Sequence, residues 1–503
     1  MNNDNTAVII GGGLGGLFTG AILAKEGLRV TVLEKNATIG GGLQTFTRWG
    51  ERFDTGMHVI AGMQPGGSID RICRYLGIRD RVMLRDVDDD CSDCLYFADD
   101  RQTYCIAKGR RGYIDSLAAY FPDSRSELEA YVDAIFAITD EVDLFSLRPS
   151  SPSLKMHSAD FMMPADAFIA KYVSNPKLRS VIAYMNPLYG GRHDQTPAFV
   201  HAIINVLYIN GTSRFVDGSS HFAQLLADVI TDAGGEVVTG DAVEWIEVND
   251  RHVDYVRTRL QRRYEAQYYI SSIHPCTMFG IMPEKALPKA YRNRLESIPN
   301  SYSAFSVYIK LKPGSFPYIN HTEYYMTTYA DIWNFGDPCR KWPLGFLFMT
   351  PPDIDQGEFA TKVLITAPML FSEVEQWTDT RVGHRGAYYE AWKNDCARRL
   401  IASVEEIHPG FAGCIDKINT ASPLTIRDFY GAKEGTMCGF SKDSHNIALS
   451  QVPVVTKISN LLLTGQNCNL HGFCGVPLTA INTAEAILGL NHVINHINQC
   501  DKE

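Results

Sequence analysis

The chain has 503 residues, of which 45% are hydrophobic, and a formal net charge of −10 at pH 7. This length and composition allow a large buried core and predict about two domains. The acidic balance argues against a nucleic-acid partner, because binding to a phosphate backbone requires a basic surface. No stretch has the ~18 uninterrupted apolar residues of a membrane span, and the N-terminus has no basic region followed by an apolar one. We therefore predict a cytoplasmic protein, and we leave peripheral membrane contact open.

The first 45 residues predict a dinucleotide-binding unit. A strand at residues 7–10 (AVII) runs into a glycine turn, a helix and a second strand (RVTVL) that ends at an acid. This order is the context in which G-x-G-x-x-G binds a dinucleotide. Gly11 allows the tight turn, Gly13 lets the backbone approach a pyrophosphate, and Gly16 lets the helix pack on the strand. Glu34 lies 18 residues after Gly16, close to the ~20 expected of an acid that bonds ribose hydroxyls.

A second glycine cluster indicates which dinucleotide is bound. Residues 40–45 read GGGLQT, and residues 53–58 read FDTGMH. The ribityl chain and ring of a flavin extend beyond the pyrophosphate and need more close backbone, whereas a nicotinamide domain does not need a second cluster. A second G-x-G-x-x-G is absent from the sequence, so a dedicated NAD(P) domain is not predicted. We therefore predict FAD.

The next part of the chain is predicted to be largely helical. Residues 147–157 are rich in proline and serine and read as a connector. Two short apolar helices follow at residues 164–173 and 176–185, with Asn175 as the N-cap of the second. Such helices line a lipid tunnel or lie on a bilayer in some proteins, and in others they are simply core. Both interpretations stay open at this point.

Residues 206–283 and 284–440 differ in composition and in predicted secondary structure. The first stretch has a glycine-serine turn (FVDGSS), a helix and short strands within GGEVVTGDAVEWI, which are typical of a return to the first domain. The second is aromatic and rich in predicted strands, which we place at residues 302–311, 323–329, 344–349 and 362–367. Aromatic strands with one apolar face suit the wall of an apolar pocket, and they equally suit an antiparallel sheet backed by helices.

The C-terminal segment predicts a second helix at the cofactor. A buried strand at residues 461–463 is followed by the turn Thr464-Gly465-Gln466-Asn467, and Gly475-Val476-Pro477 is predicted to open a helix that Gly489 closes. The positive end of this helix can face the N1–C2=O edge of an isoalloxazine, where negative charge gathers on reduction. The chain is therefore predicted to end on the cofactor with which it begins.

The twelve cysteines are scattered along the chain. Cys91 and Cys94 form one C-x-x-C, but without a second pair or nearby histidines this spacing is a weak sign of zinc. We predict unpaired thiols in a reducing compartment and no metal site.

Several of these motifs together resemble a known family. In the FAD-dependent amine-oxidase superfamily a motif G-G-R-x-x-[ST] follows the acid. Gly40 and Gly41 match its glycines and Thr45 its hydroxyl, while Gly42 stands where many members have arginine. With PLYGG, TPAFVHA, FVDGSS and LTGQN…HGFCG, the chain is most similar to the phytoene-desaturase-like group, nearest its retinol-saturase and carotenoid-isomerase branch. This resemblance implies an FAD-dependent oxidoreductase acting on C–C bonds of apolar polyene or isoprenoid chains, by saturation, desaturation or flavin-assisted isomerisation with hydride transfer at flavin N5.

The resemblance also implies a fold class and a domain division. The fold is expected to be α/β, with a discontinuous, GR2-type Rossmann-like FAD-binding domain and an inserted α+β substrate domain on a mixed or antiparallel sheet. The FAD-binding domain is predicted to comprise residues 1–70, 206–283 and 441–503. The substrate-binding domain is predicted to comprise residues 71–205 and 284–440.

Residue by residue, the motifs predict a cofactor-binding set. Val243 matches the position whose backbone bonds the adenine, and Gln466 and Asn467 stand where the family has an acidic residue. The predicted set is Gly11, Gly13, Leu14, Gly15, Gly16, Glu34, Lys35, Gly41, Gly42, Leu43, Thr45, Gly56, His58, Val243, Gly465, Gln466, Asn467, Gly475 and Val476. For catalysis the sequence offers only His58 and His201 as candidates, and a structural role is open for each. The predicted partner is an apolar small molecule, and the electron partner is not identified.

Two other functions share this frame. A flavin amine oxidase needs an aromatic cage around a deprotonated amine, which the aromatic strands permit. Rab GDP-dissociation inhibitors have the same fold, lack flavin and bind prenyl groups. The intact glycine motifs at both ends of the chain and Glu34 argue against such a non-enzymatic binding protein.

Overall fold

The structure is a computed structural model that describes residues 5–151, 156–446 and 451–501. Its helices are α1 Leu14–Lys25, α2 Ser68–Tyr75, α3 Arg110–Tyr120, α4 Arg125–Asp140, α5 Ala165–Tyr172, α6 Pro176–Ile182, α7 Ala198–Ile209, α8 Ser220–Asp232, α9 Pro275–Phe279, α10 Lys289–Glu296, α11 Ala387–Ile407, α12 Phe411–Cys414, α13 Pro423–Tyr430, α14 Gly472–Leu488 and α15 His492–Cys500. Its strands are β1 Thr6–Ile10, β2 Arg29–Leu33, β3 Thr45–Arg48, β4 Glu51–Asp54, β5 Ile60–Ala61, β6 Leu84–Asp86, β7 Asp93–Phe97, β8 Gln102–Ile106, β9 Thr212–Phe215, β10 Glu236–Val238, β11 Val243–Asn249, β12 His252–Thr258, β13 Arg263–Tyr264, β14 Tyr268–Ser271, β15 Ser303–Leu311, β16 Thr322–Met326, β17 Gly345–Met349, β18 Lys362–Met369, β19 Ile415–Ala421 and β20 Leu461–Leu463.

A five-stranded parallel sheet organises the first domain. Its order is β10-β2-β1-β14-β20, so strands from distant parts of the chain lie side by side. The strands are short and rich in Val, Ile and Leu, as expected of strands that are buried on both faces. Helix α1 is buried along almost its whole length, and the order of elements is that of a Rossmann-like fold. The predicted fold class is confirmed, and the domain boundaries stay a prediction.

A seven-stranded mixed sheet organises the second domain. Its order is β19-β15-β18-β17-β16-β7-β8, and the pair β16–β7 is parallel while the other pairs are antiparallel. One face packs against α11, where Leu400 and Val404 join a core that includes Phe305. On the other face the register aligns a row of residues across neighbouring strands, which are Ser306, Thr366, Leu347, Tyr324 and Leu95. The predicted aromatic strands therefore form one sheet with two distinct faces.

Two sequence predictions need correction. Residues 93–106 form a hairpin of β7 and β8, because the chain turns between residues 98 and 101. That hairpin brings the Cα atoms of Cys91 and Cys105 to 5.2 Å in a disulfide, within the usual range, so the prediction of unpaired thiols is wrong for these two. The last long helix begins at Gly472 rather than Gly475. Pro477 therefore lies inside the helix, where it lacks the N–H that would bond the carbonyl of Phe473.

Among the described residues, no helix taken alone is both long and apolar enough to cross a bilayer. The pair α14 and α15 reaches that length only when combined, and the chain bends by 119° between the two helices.

Candidate active site

One cavity of about 500 Å³ connects the two sheets. At one end it is lined by Gly11, Ser272 and Gly465, which follow the carboxyl ends of β1, β14 and β20. At the other end it is lined by Tyr324 and Leu347 on the inner face of the seven-stranded sheet. The carboxyl ends of parallel strands are the usual ligand site of open α/β sheets. The cavity therefore joins a dinucleotide-type site to a chamber in the second domain.

Glycine turns from distant parts of the chain lie against one another at the first end. The backbone N–H of Gly40 donates to the carbonyl of Gly12 at 2.7 Å. A Cβ added to Gly15 would lie 2.7 Å from the Cα of Gly465, so the backbones of these two turns are in contact. A Cβ on Gly13, by contrast, would meet only the Cα of Gly41, at 3.9 Å. The backbone at Gly13 is therefore open on the side from which a ligand approaches.

Two helix N-termini face this part of the cavity. Helix α1 follows Gly13 and α14 follows His471, and neither helix has a side-chain cap or an acidic residue in its first turn. The first N–H groups of a helix have no intrahelical partner, and this end carries partial positive charge. Leu14 in α1 and Phe473 in α14 both line the cavity. The two uncapped ends fit a diphosphate and an electron-rich ring edge.

Glu34 is buried at the edge of the same cradle and is held by backbone. One carboxylate oxygen accepts from the N–H of Gly12 and the other from the N–H of Asn36, each at 2.8 Å. A carboxylate has about four acceptor positions, so positions remain for the hydroxyls of a ribose. The placement of Glu34 therefore fits the role predicted for it.

Two histidines at the cavity have ring nitrogens without a partner. His58 Nδ1 and His471 Nε2 are buried, and no hydrogen-bond partner is found for either atom among the described residues. Burial lowers the pKa of each imidazole to about 4, and for His471 the charge of Lys442 acts in the same direction. Both rings are thus neutral at pH 7. An unsatisfied buried polar atom costs about 1–3 kcal/mol, and a bound group with polar edges would remove this cost.

Three of the recognised motifs meet at one buried hydroxyl. Ser219 Oγ donates a hydrogen bond to the Leu43 carbonyl at 3.0 Å or to Asp54 Oδ1 at 2.7 Å, and the Ser219 N–H also donates to Asp54 Oδ1 at 2.7 Å. Leu43 belongs to the second glycine cluster, Asp54 to FDTGMH and Ser219 to FVDGSS. Burial raises the pKa of Asp54 to about 6. Sequence analysis did not single out this junction, although its members lie within quoted motifs.

Most of the predicted cofactor residues line the cavity. The exceptions among them are Gly16, Leu43, Thr45 and Gly475. Gly16 packs on Gly11, where a Cβ would lie 2.0 Å from the carbonyl oxygen, and Leu43 is core. Thr45 bonds the hydroxyl of Ser220 at 2.9 Å, and Gly475 packs on Leu470. Direct contact with a cofactor stays a prediction for the whole set, and these four residues do not line the cavity.

The two catalytic candidates differ in their location. His58 lines the cavity, whereas His201 is fully buried in the core. The ring nitrogens of His201 bond the hydroxyls of Tyr131 at 2.7 Å and Tyr189 at 2.9 Å. Burial lowers the pKa of His201 to about 3. The structure therefore favours the structural interpretation of His201.

The chamber is built by residues that sequence analysis did not select. Ile204, Leu207 and Tyr208 of α7 line it together with residues of the sheet, and their spacing of three and four residues is the available signal. Asn175 caps α6 as predicted, with its Oδ1 accepting from the N–H of Lys177 at 3.0 Å. None of the residues of α5 or α6 lines the cavity. The tunnel interpretation of those two helices is therefore wrong, and their apolar faces are core.

Comparison with known proteins agrees with this geometry. Residues 9–76 match the family model of the NAD(P)-binding Rossmann-like domain. The chain is 27% identical to all-trans-retinol 13,14-reductase of Rattus norvegicus, over 96% of this chain and 86% of that protein. It is 24% identical to the chloroplastic prolycopene isomerase of Arabidopsis thaliana, over 92% of this chain and 79% of that protein.

A solved structure gives the same picture of the fold. Wild-type putrescine oxidase bound to putrescine superposes with a TM-score of 0.63 at 12% identity, over 96% of this chain and 99% of that one. This likeness shows the shared fold, an α/β architecture with a Rossmann-like domain.

Proposed function

We propose that this chain, whose relatives confirm the predicted resemblance to the phytoene-desaturase-like oxidoreductases, is an FAD-dependent enzyme that acts on C–C bonds of an apolar polyene. The observation that carries the proposal is the single cavity that joins the glycine cradle to a chamber walled by α7 and the seven-stranded sheet. A dinucleotide in the cradle and an elongated apolar molecule in the chamber would meet within it. The relatives named as a retinol reductase and a prolycopene isomerase support a retinoid- or carotenoid-like substrate.

The residues of the cradle fit FAD. The backbone at Gly13 and the N-terminus of α1 would hold the pyrophosphate, and Glu34 would bond the ribose. The N-terminus of α14 would lie at the polar edge of the ring system. When bound, FAD supplies hydride transfer to or from a carbon of the conjugated chain.

The chamber binds and orients the substrate and excludes water. On its sheet wall the hydroxyls of Ser306 and Thr366 bond each other at 3.1 Å, and the buried hydroxyl of Tyr324 has no partner among the described residues. Leu207 and Leu347 provide apolar surface. Removing such surface from water contributes about 25 cal/mol per Å². His58, which is neutral at pH 7, can hold a proton on one ring nitrogen and accept one at the other.

The first experiment is the absorption spectrum of the purified protein, before and after anaerobic photoreduction and addition of a polyene alcohol. We expect a yellow protein whose reduced flavin is reoxidised by the polyene as the polyene loses conjugation, or one that changes the isomer of the polyene with the flavin still reduced. Bleaching by amines with indifference to polyenes would support an amine oxidase instead. A protein without flavin after reconstitution would refute the enzyme assignment.

A pair of variants separates the chamber from the cradle. Leu347→Trp fills the chamber, so it should keep the flavin but lower the rate of reaction with the polyene by at least about tenfold, or ~1.4 kcal/mol. Leu260→Trp is the matched control, because Leu260 is 58% exposed and lies outside the cavity. Equal rates in the two variants would exclude the chamber as the substrate site.

A further inference from the structure

A cluster of metal-ligand side chains lies on the outer face of the seven-stranded sheet, away from the cavity. Its members come from β7, from the start of β16 and from the residue that follows α11, and we call them the outer cluster: Cys94, His321, Glu323 and His408. Cys94 and Glu323 are register partners on the parallel strands. The ligand atoms of Cys94, His321 and Glu323 all lie within 4.8 Å of one another.

The buried carboxylate of Glu323 is the centre of this cluster. Its Oε1 lies 3.5 Å from His321 Nε2, and its Oε2 lies 2.6 Å from His408 Nε2. Burial raises the pKa of Glu323, but the hydrogen bonds from the two imidazoles outweigh it and hold the pKa below its usual value. A buried negative charge therefore has two nitrogen ligands at its sides. Its side chain is only 7% exposed, which distinguishes the cluster from solvated acidic groups.

The thiol completes a mixed set of donors. Cys105, which lies opposite Cys94 in the hairpin, is engaged in the disulfide with Cys91, so Cys94 is the free thiol of the hairpin. Burial raises the pKa of Cys94 to about 12, and the charge of Glu323 adds to this effect. A nearby divalent cation reverses that electrostatic situation and deprotonates a coordinating thiol. Thiolate, carboxylate and two neutral imidazoles would balance the charge of one divalent ion.

We propose that the outer cluster binds one divalent transition-metal ion, and that Zn²⁺ is the ion its donors match. Zn²⁺ takes four ligands in a tetrahedron at about 2.0–2.3 Å, from thiolate, imidazole and carboxylate groups. Such bond lengths place ligand atoms about 3.3–3.8 Å apart, close to the 3.5 Å between His321 and Glu323. The set also resists hard ions such as Mg²⁺, which prefer oxygen. A bound ion would fasten β7 and β16 to the end of α11.

A second set of ligand atoms makes the choice of readout important. Glu26, His492 and His496 also lie within reach of one another, with both imidazoles 2.8 Å from Glu26. This second set contains no thiol. Co²⁺ is therefore the better probe, because of the two sets found among the described residues only the outer cluster can give a thiolate-to-metal charge-transfer band. The charge-transfer band lies in the near ultraviolet, where flavin also absorbs, so it is recorded as a difference spectrum against the same sample without cobalt. The visible d–d bands of tetrahedral Co²⁺ lie at longer wavelength than oxidised flavin absorbs and are recorded with it.

The test uses the full-length protein, treated with a chelator, dialysed without added thiol and titrated with Co²⁺ and then Zn²⁺. We expect the charge-transfer band to saturate at one equivalent of Co²⁺ and to disappear when Zn²⁺ displaces it, with a rise in Tm of at least about 2 °C. Cys94→Ser should abolish the band, and His408→Gln should weaken binding by about 10-fold or more. The double variant His492→Gln, His496→Gln is the control and should keep the band.

Two results would overturn the proposal. The first is a wild-type protein without a thiolate band at one equivalent of metal, and the second is a band that survives in Cys94→Ser. If Cys94→Ser fails to fold, unchanged affinity in His408→Gln would overturn it equally. The experiment does not depend on the proposed function, because the outer cluster lies on the sheet face opposite the cavity.

Discussion

The contrast between Gly13 and Gly15 gives the sharpest test of the cradle. Both residues belong to the same glycine motif, Gly13 as the N-cap of α1 and Gly15 in its first turn, but a methyl group at each would meet different neighbours. At Gly15 it would lie 2.7 Å from the Cα and 3.0 Å from the N of Gly465, which are backbone atoms that no rotamer change can move. At Gly13 it would meet only Gly41, at 3.9 Å. Alanine substitution should therefore separate folding from cofactor binding.

The two substitutions should change the stability of the flavin-free protein in opposite directions. Gly13 has φ −78° and ψ −177°, which alanine adopts freely, so Gly13→Ala should stabilise the flavin-free protein by about 0.4–1 kcal/mol through the unfolded chain. The same methyl group would contact the pyrophosphate, and overpacking of about 1–3 kcal/mol corresponds to flavin binding weakened about 5–150-fold. Gly15→Ala suffers that overpacking within the fold. Because the clash is with backbone at 2.7 Å, we take the upper part of that range, about 2–3 kcal/mol. The gain in helix propensity offsets about 1 kcal/mol of it, so we expect about 1–2 kcal/mol of destabilisation.

The assay is urea unfolding of the flavin-stripped protein together with a fluorescence titration of FAD. Gly357→Ala is the control, because a Cβ there meets nothing within 4 Å. Flavin affinity equal to wild type in Gly13→Ala would refute the placement of the pyrophosphate. Wild-type stability in Gly15→Ala would refute the contact between the two glycine turns.

Two further predictions concern the buried polar groups. Ser219→Ala removes the hydroxyl that contacts Leu43 and Asp54 and should destabilise the protein by about 1–3 kcal/mol. A change below about 0.5 kcal/mol in urea unfolding would contradict a stabilising role of this hydroxyl. His201 has a pKa of about 3 in the folded protein and 6.5 as its ordinary value, so between these pH values the unfolded chain binds the extra proton and stability falls as pH falls. His201→Gln should reduce this dependence of the free energy of unfolding on pH by up to ~1.4 kcal/mol per pH unit below pH 6.5. If the stabilities of variant and wild type change in parallel at pH 7, 6 and 5, the imidazole of His201 does not cause the dependence.

The cradle could be predicted from sequence because its determinants are local. The glycines and Glu34 act through backbone conformation and close approach, and each stands at a fixed spacing within one short motif. The same holds for the N-cap Asn175, whose side chain bonds an N–H only two residues away. Contiguous residues can be interpreted without knowing what packs around them.

The chamber and the outer cluster could not be predicted in this way. Tyr324 and Leu347 lie in one row only because of the register between β16 and β17, and a shift of one strand by one residue would turn its member of this pair to the other face. His408 meets Glu323 from 85 positions further along the chain. The C-x-x-C therefore gave no sign of histidines nearby, and the hairpin paired Cys91 with Cys105 instead.

The position of β20 at the edge of the parallel sheet has a consequence for protein synthesis. Thr464 bonds Thr19 across 445 positions of the chain, and Gly465 packs on Gly15. A ribosome therefore releases the N-terminal glycine turn long before the residues that complete it exist. Until residues 461–488 have emerged, the first turn lacks both its neighbouring backbone and the second helix end. A transcript that stops short of this point would encode the recognisable N-terminal motif without a complete cradle, so that motif alone does not identify a working enzyme.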